Sequence, residues 1–250
     1  MTKKNLSLWL RRMAALLVLC LFCSLVKAGP SGPLRTGDAY FIKMDYKKAI
    51  VMYEQASPGA EAQWRIARAC ICLADVSDKE DKKTLIEKAE LASRRCISQD
   101  EKNSNGHTWL AASLGNRAMY EGSKAKVRLC NEIKKELDRA IELNPKDDVS
   151  YSILGSFYRA LGNVSWLEKK LAKAFLGGLP DGGFAEGEQA LKHAIAISPT
   201  TIRHWHELGM LYDDWGKKDE ARIAYAKTQQ LEIQVLSDRE RQETCKRKLK

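Results

Sequence analysis

His204 and His206 have the side-chain type most used for metal ligation, and Asp213 with Asp214 could add carboxylate oxygens nearby. Their spacing argues against a shared ion, because side chains two residues apart on a helix point about 200° away from each other. Five cysteines follow residue 28, namely Cys70, Cys72, Cys96, Cys130 and Cys245, an odd number without zinc-ligand spacing. Cys70 and Cys72 diverge on a helix as the histidines do, so no disulfide framework is expected, and Cys70, Cys96 and Cys130 read as small buried hydrophobes. The sequence contains no glycine-rich phosphate loop, no Gly-x-Ser-x-Gly elbow and no His-Glu-x-x-His pair. The expectation is therefore no catalytic residue, no metal and no cofactor. What remains is recognition chemistry: arginines spaced among amides and hydroxyls, suited to holding carboxylates by bidentate hydrogen bonds.

Such side chains need a frame, and composition indicates which. The 250 residues are 44% hydrophobic and 30% charged, with only 6 prolines and 16 glycines. Segments rich in Ala, Leu, Glu, Lys and Arg favour helix, and collagen-like and low-complexity classes are excluded. The formal charge is +10, but residues 1–28 hold five bases and no acid, which leaves 37 bases against 32 acids beyond them. A balance of +5 is ordinary for a soluble domain, and no nucleic-acid partner is expected.

Internal repetition supplies the frame. In WHELGMLYDDWGKKDEARIAYAKTQ, the residues Trp205, Leu208, Gly209, Tyr212, Gly216, Ala221 and Tyr225 fall at positions 4, 7, 8, 11, 15, 20 and 24 of a 34-residue helix-turn-helix unit. This resembles a tetratricopeptide repeat. The small residue at position 8 lets the second helix approach the first, and the ring at position 11 fills the gap between them. Tyr151, Leu154, Gly155, Tyr158 and Gly162 open the preceding unit, but its closing Ala194 and Pro199 come 20 residues late. An earlier unit opens at His107, Leu110 and Ala111 and closes on Leu137, Ala140 and Pro145 with 10 extra residues. Gly37, Tyr40, Ala49, Tyr53 and Ala56 fit a first unit, and helices over about 60–76 and 83–97, separated by the charged run SDKEDKK, make five pairs in all. The fold expected is an all-α, tetratricopeptide-like superhelix with a concave face.

Phrases outside the repeat pattern carry a second resemblance. WRIARA (64–69), AMYEGSKAKVR (118–128), AIELNPKDD (140–148) and SWLEKK (165–170) occur in an order and context similar to the tetratricopeptide domain of the regulator of microtubule dynamics family, across residues 36–232. The resemblance implies a non-enzymatic adaptor; in animals the family is associated with microtubules and with mitochondria or membrane contacts.

Two surfaces could bind. Positions 2, 5, 9, 12 and 13 of each first helix point into the groove, which gives Arg65 and Cys72, then Asn105, Thr108 and Asn116, then Ser152, Ser156 and Arg159, then Arg203, His206, Met210 and Asp213. Arg65, Asn116, Ser156, Arg159, Arg203 and His206 form the expected partner groove, and a protein or peptide segment of acidic character is the expected partner. The bland alternative is a solvated groove whose charges keep the solenoid soluble, and for Asp213 and Asp214 it is a solvated helix end. The 20-residue insertion offers an amphipathic helix with Val164, Leu167, Leu171, Ala174 and Phe175 on its apolar side, before the glycine-rich GGLPDGG. That helix could bind a lipid or other apolar ligand, associate with a membrane, or pack as one more core helix. Trp64, Trp205 and Trp109 read as core rather than as stacking platforms, and Trp215 sits beside a turn.

The N-terminus reads as an export signal. Lys3, Lys4, Arg11 and Arg12 precede an uncharged run over 13–26, and Val26 and Ala28 are the small residues a signal peptidase requires. Residues 1–28 are thus expected to be removed, leaving a periplasmic or secreted chain that begins at Gly29. The alternative is an uncleaved anchor over residues 6–26. The helical domain is expected over 29–236, and residues 237–250 as a charged tail, a solvated helix end.

Overall fold

The computed structural model describes residues 32–165, 169–170, 172–174 and 178–250. Among them eleven helices succeed one another: α1 (Pro33–Ile42), α2 (Tyr46–Gln55), α3 (Ala60–Ala74), α4 (Lys79–Gln99), α5 (Ser104–Glu121), α6 (Ser123–Leu143), α7 (Asp148–Gly162), α8 (Phe184–Ile197), α9 (Ile202–Asp214), α10 (Lys218–Thr228) and α11 (Asp238–Lys248). Local chemistry sets their ends. Asp45, Asp78, Asn103 and Asp147 accept hydrogen bonds from backbone N–H groups in the first turns of α2, α4, α5 and α7. Pro145 and Pro199 follow the ends of α6 and α8, where the residue before a proline is pushed out of helical conformation. The run SDKEDKK does not separate two helices as expected, because Asp78 caps α4 and the following charges form its first turn.

Successive helices pack in antiparallel pairs, α1 with α2 through α9 with α10, and each pair stacks on the next. The repeat glycines are the points of closest approach. A Cβ at Gly37 would collide with the Tyr53 ring, one at Gly209 with the Tyr225 ring, and one at Gly155 with Leu191. The last pairing shows that the unit with the late closing phrase keeps the ordinary contact across its insertion. The 10 extra residues of the third unit lengthen α5 and α6 to 18 and 21 residues, joined at Gly122 with φ 92°, a conformation that suits glycine.

Two buried clusters result. The larger runs from Ala49 and Tyr53 through Ile66, Cys70, Leu110, Leu114 and Leu137 to Ile153. The smaller gathers Leu191, Leu208, Leu211, Tyr212, Tyr225 and Cys245. Cys70, Cys96, Cys130 and also Cys245 are buried free thiols, and burial pushes the Cys70 and Cys72 thiols up to about 12. Trp109 is core as expected, whereas Trp64 and Trp205 are half-buried at the core edge. The Arg65 guanidinium lies over the Trp64 ring, and the Trp205 indole N–H donates to the Pro199 carbonyl. No helix among the described residues is long and apolar enough to cross a membrane.

Candidate functional site

The first helices of all five pairs converge on one cavity of about 220 Å3. Phe41 of α1, Ile71 of α3, Trp109 of α5 and Val149 of α7 give apolar walls, while Arg68, Asp75, Asp148, Arg203 and His204 bring polar groups. Gln234, Val235, Asp238 and Arg241 from the C-terminal segment line the remaining side. The Nε atoms of Arg68 and Arg203 and Nδ1 of His204 are buried without hydrogen-bond partners among the described residues. His204 is fully buried, and its Nε2 meets Asp148 at 2.8 Å.

The sequence-expected groove residues fall in four separate places. Ser156, Arg159 and His206 are brought together by Glu207, a residue that the groove pattern did not select. Ser156 Oγ donates to Glu207 at 2.9 Å, Arg159 approaches at 3.4 Å and His206 Nδ1 at 3.3 Å. Burial favours the neutral acid there, yet the His206 hydrogen bond and the charges of Arg159, His206 and Arg203 outweigh it and hold the Glu207 carboxyl well below the usual range. Arg65 is elsewhere, bonded to Asp38 at 3.1 Å and to Glu61 one turn before it. Asn116 donates back to the Ala112 carbonyl of its own helix. Arg203, with Cys72, lines the cavity, but Thr108 is instead buried against Asp147 and Ser150.

Arg65 and Arg159 are therefore already matched to carboxylates within the chain, Arg159 also reaching Asp214 at 3.6 Å. Part of this was legible, since Glu61 lies four residues before Arg65, but Glu207 lies on a different helix from Arg159 and no local spacing joins them. Asp38, reached by Arg65, Arg68 and the Tyr53 hydroxyl, is a pairing across helices that no local spacing reveals. Asp213 is not a solvated helix end, since Lys218, Lys248 and the Tyr225 hydroxyl all contact it.

In the insertion, Leu167, Leu171 and Phe175 of the expected apolar stripe lie outside the described residues, as does the signal segment 1–28. Val164 is half-buried, and Ala172 rather than Ala174 is the buried alanine. Residues 237–250 also depart from expectation. Their helix, α11, docks on α9 and α10 with Cys245 fully buried, because the chain turns inward at Val235 to Asp238 after a mostly exposed stretch over 229–234.

Five stacked helix pairs around a polar and arginine-bearing inner face define a tetratricopeptide-type α-solenoid, a fold of protein-interaction scaffolds. A solved tetratricopeptide protein of Thermus thermophilus shares that fold, with a TM-score of 0.61 and 21% identity over 85% of this chain and 96% of its own. Within this class, the sequence profile of Regulator of microtubule dynamics protein 1-3 matches residues 34–250, and the chain belongs to that family. Mouse regulator of microtubule dynamics protein 1 is 30% identical over 152 residues, 60% of this chain and 50% of the relative. Rat regulator of microtubule dynamics protein 2 is 28% identical over 170 residues, 67% of this chain and 41% of the relative. The chain thus spans about half the length of the curated relatives it matches, or less.

Proposed function

We propose that the protein is a non-enzymatic adaptor that holds a polypeptide segment along its concave face, with an acidic group of the partner meeting Arg203. The observation that carries this reading is the buried, unpartnered Nε of Arg203 in the wall of the central cavity, beside arginines whose carboxylates are already supplied. Arg65 and Arg159 act as braces between helices, whereas Arg203 has no ion pair among the described residues and acts on Glu207 through its charge alone, so its reversal disturbs the fold least of the three. In Arg203→Glu, a partner that co-purifies with the native protein from its host is expected to be lost while the helical circular dichroism is unchanged. Unaltered capture removes Arg203 from the binding surface. The proposed place of action is beyond a membrane, on the strength of the charged, apolar and Val26-x-Ala28 pattern. N-terminal sequencing of protein from its host should begin at Gly29; an intact Met1 in the membrane fraction replaces export with anchoring, and in the cytosol removes it.

A further inference from the structure

The concave face is not empty of polypeptide. Beyond α10 the chain leaves helical structure over residues 229–237, stays mostly exposed as far as Ile233, and from Gln234 onward turns into the mouth of the superhelix before α11 begins. Asp238, only 2% exposed, organises the entry by accepting the backbone N–H groups of Gln234 and Val235, each at 3.0 Å. The Leu236 N–H then donates to the Tyr46 hydroxyl of α2 at 3.2 Å, and Arg241 reaches Asp75 at the end of α3 at 3.3 Å while holding Asp238 at 2.9 Å. Gln234 bonds to the Thr200 carbonyl on the facing side. One short segment thus spans from the last helix pairs to the first ones, and it forms one wall of the cavity where Arg203 sits.

How this segment is held differs from how the repeat helices are held. The sequence of α11, DRERQETCKRK, has Cys245 as its single apolar anchor, with Leu249 packed just beyond it. The rest of its attachment is polar: Arg241 to Asp75 and Asp238, Gln242 to the carbonyls of Thr228 and Leu231, and Lys248 to Asp213. Apolar burial that would make the docking permanent is small, and polar contacts can be exchanged one for one with those of another chain.

We infer that residues 229–248 act as a ligand in cis for the concave face, so that a partner segment enters by displacing them and supplies its own basic side chain to Asp75 in place of Arg241. This rests on the proposed use of the groove and adds both a regulatory state and a feature of the partner. Tethering keeps the segment at an effective concentration on the order of millimolar, so a competitor in trans meets a face that is already occupied.

The test uses the full chain and, as probe, a fluorescein-labelled synthetic peptide of residues 229–250. Arg241→Glu sets a carboxylate against Asp75 and should release the segment. Amides of residues 234–248 are then expected to exchange at least about tenfold faster than in the unmodified chain, and the labelled peptide to bind at least about tenfold more tightly. Adding Asp75→Arg to Arg241→Glu restores an ion pair in cis and should again exclude the peptide, whose own arginine would meet the positive charge that Asp75→Arg introduces. Tyr46→Phe, which keeps the ring and removes the acceptor for Leu236, should shift both readouts in the same direction by less. Faster exchange without improved peptide binding overturns the inference, as does unchanged exchange in both single variants. Peptide binding in Arg241→Glu that survives while Arg203→Glu still captures its partner would leave this inference standing and remove the Arg203 reading alone.

Discussion

Glu207, which the repeat pattern does not select, gathers three polar groups of the inner surface. Ser156, His206 and Arg159 all face it, so removing the carboxylate leaves three polar groups in a largely desolvated place. Glu207→Ala should cost about 2–4 kcal/mol in urea denaturation, and Glu207→Gln less, because the amide still accepts from Ser156. A loss under about 0.5 kcal/mol for the alanine variant would mean that the Asp214 contact already suffices for Arg159 and that Glu207 is dispensable. The sign of the pH dependence follows from the lowered acid: its contribution is present above pH 4.5 and disappears as pH falls through the folded value. His107 runs the other way. Burial disfavours its charged form, but Glu136 at 2.6 Å and the Glu101 carbonyl at 2.9 Å face both ring nitrogens and raise its pKa above 6.5. Its contribution is therefore complete below pH 6.5 and is lost as pH rises through the folded value, and His107→Gln should flatten that arm of a stability profile. An unchanged profile would remove His107 as its source.

At the level of elements, the repeat grammar made five helix pairs legible because it records shape: glycine at position 8 exists so that a ring or leucine from the second helix can lie on it. Gly209→Ala should cost about 1–3 kcal/mol by forcing the Tyr225 ring away, and its thermal midpoint should fall accordingly. Gly115 is the control, since a Cβ there meets nothing within 4 Å and an alanine in mid-helix is favourable by up to about 1 kcal/mol. Equal effects at the two positions would show that helix propensity, and not close approach, accounts for the glycine. The same grammar placed the fourth unit's insertion between its two helices, whereas the extra residues of the third unit lengthen α5 and α6 themselves, and it said nothing of the use of either. Charge runs misled in two places for one reason. SDKEDKK reads as a separator and the segment from Ser237 onward as a solvated end, yet each carries as its second residue an aspartate that organises a helix start, Asp78 by capping α4 and Asp238 by gathering N–H groups and Arg241. The groove reading was legible as a set of positions and not as a set of partners, because ion pairs such as Arg65 with Asp38 join residues 27 apart on different helices.

For the molecule as a whole, a linear solenoid would have ends that open independently, since each repeat contacts only its neighbours. Here the C-terminal segment returns to the first pairs, with Leu236 on Tyr46 across 190 residues and Arg241 on Asp75 across 166. That closure ties the opening of α1 and α2 to that of α10 and α11, because releasing the bridge exposes both. In native-state hydrogen exchange the two ends should therefore share one opening free energy. In Tyr46→Phe combined with Asp75→Ala they should separate, each end losing protection by about tenfold, or about 1.4 kcal/mol, while α5 and α6 keep theirs. Arg94→Ala provides the comparison, since it removes contacts of a half-exposed arginine with Glu90 and Glu132 and should leave the ends coupled. Ends that open with different free energies in the unmodified chain would show that the bridge is too weak to join them, and that the solenoid behaves as a line rather than as a closed turn.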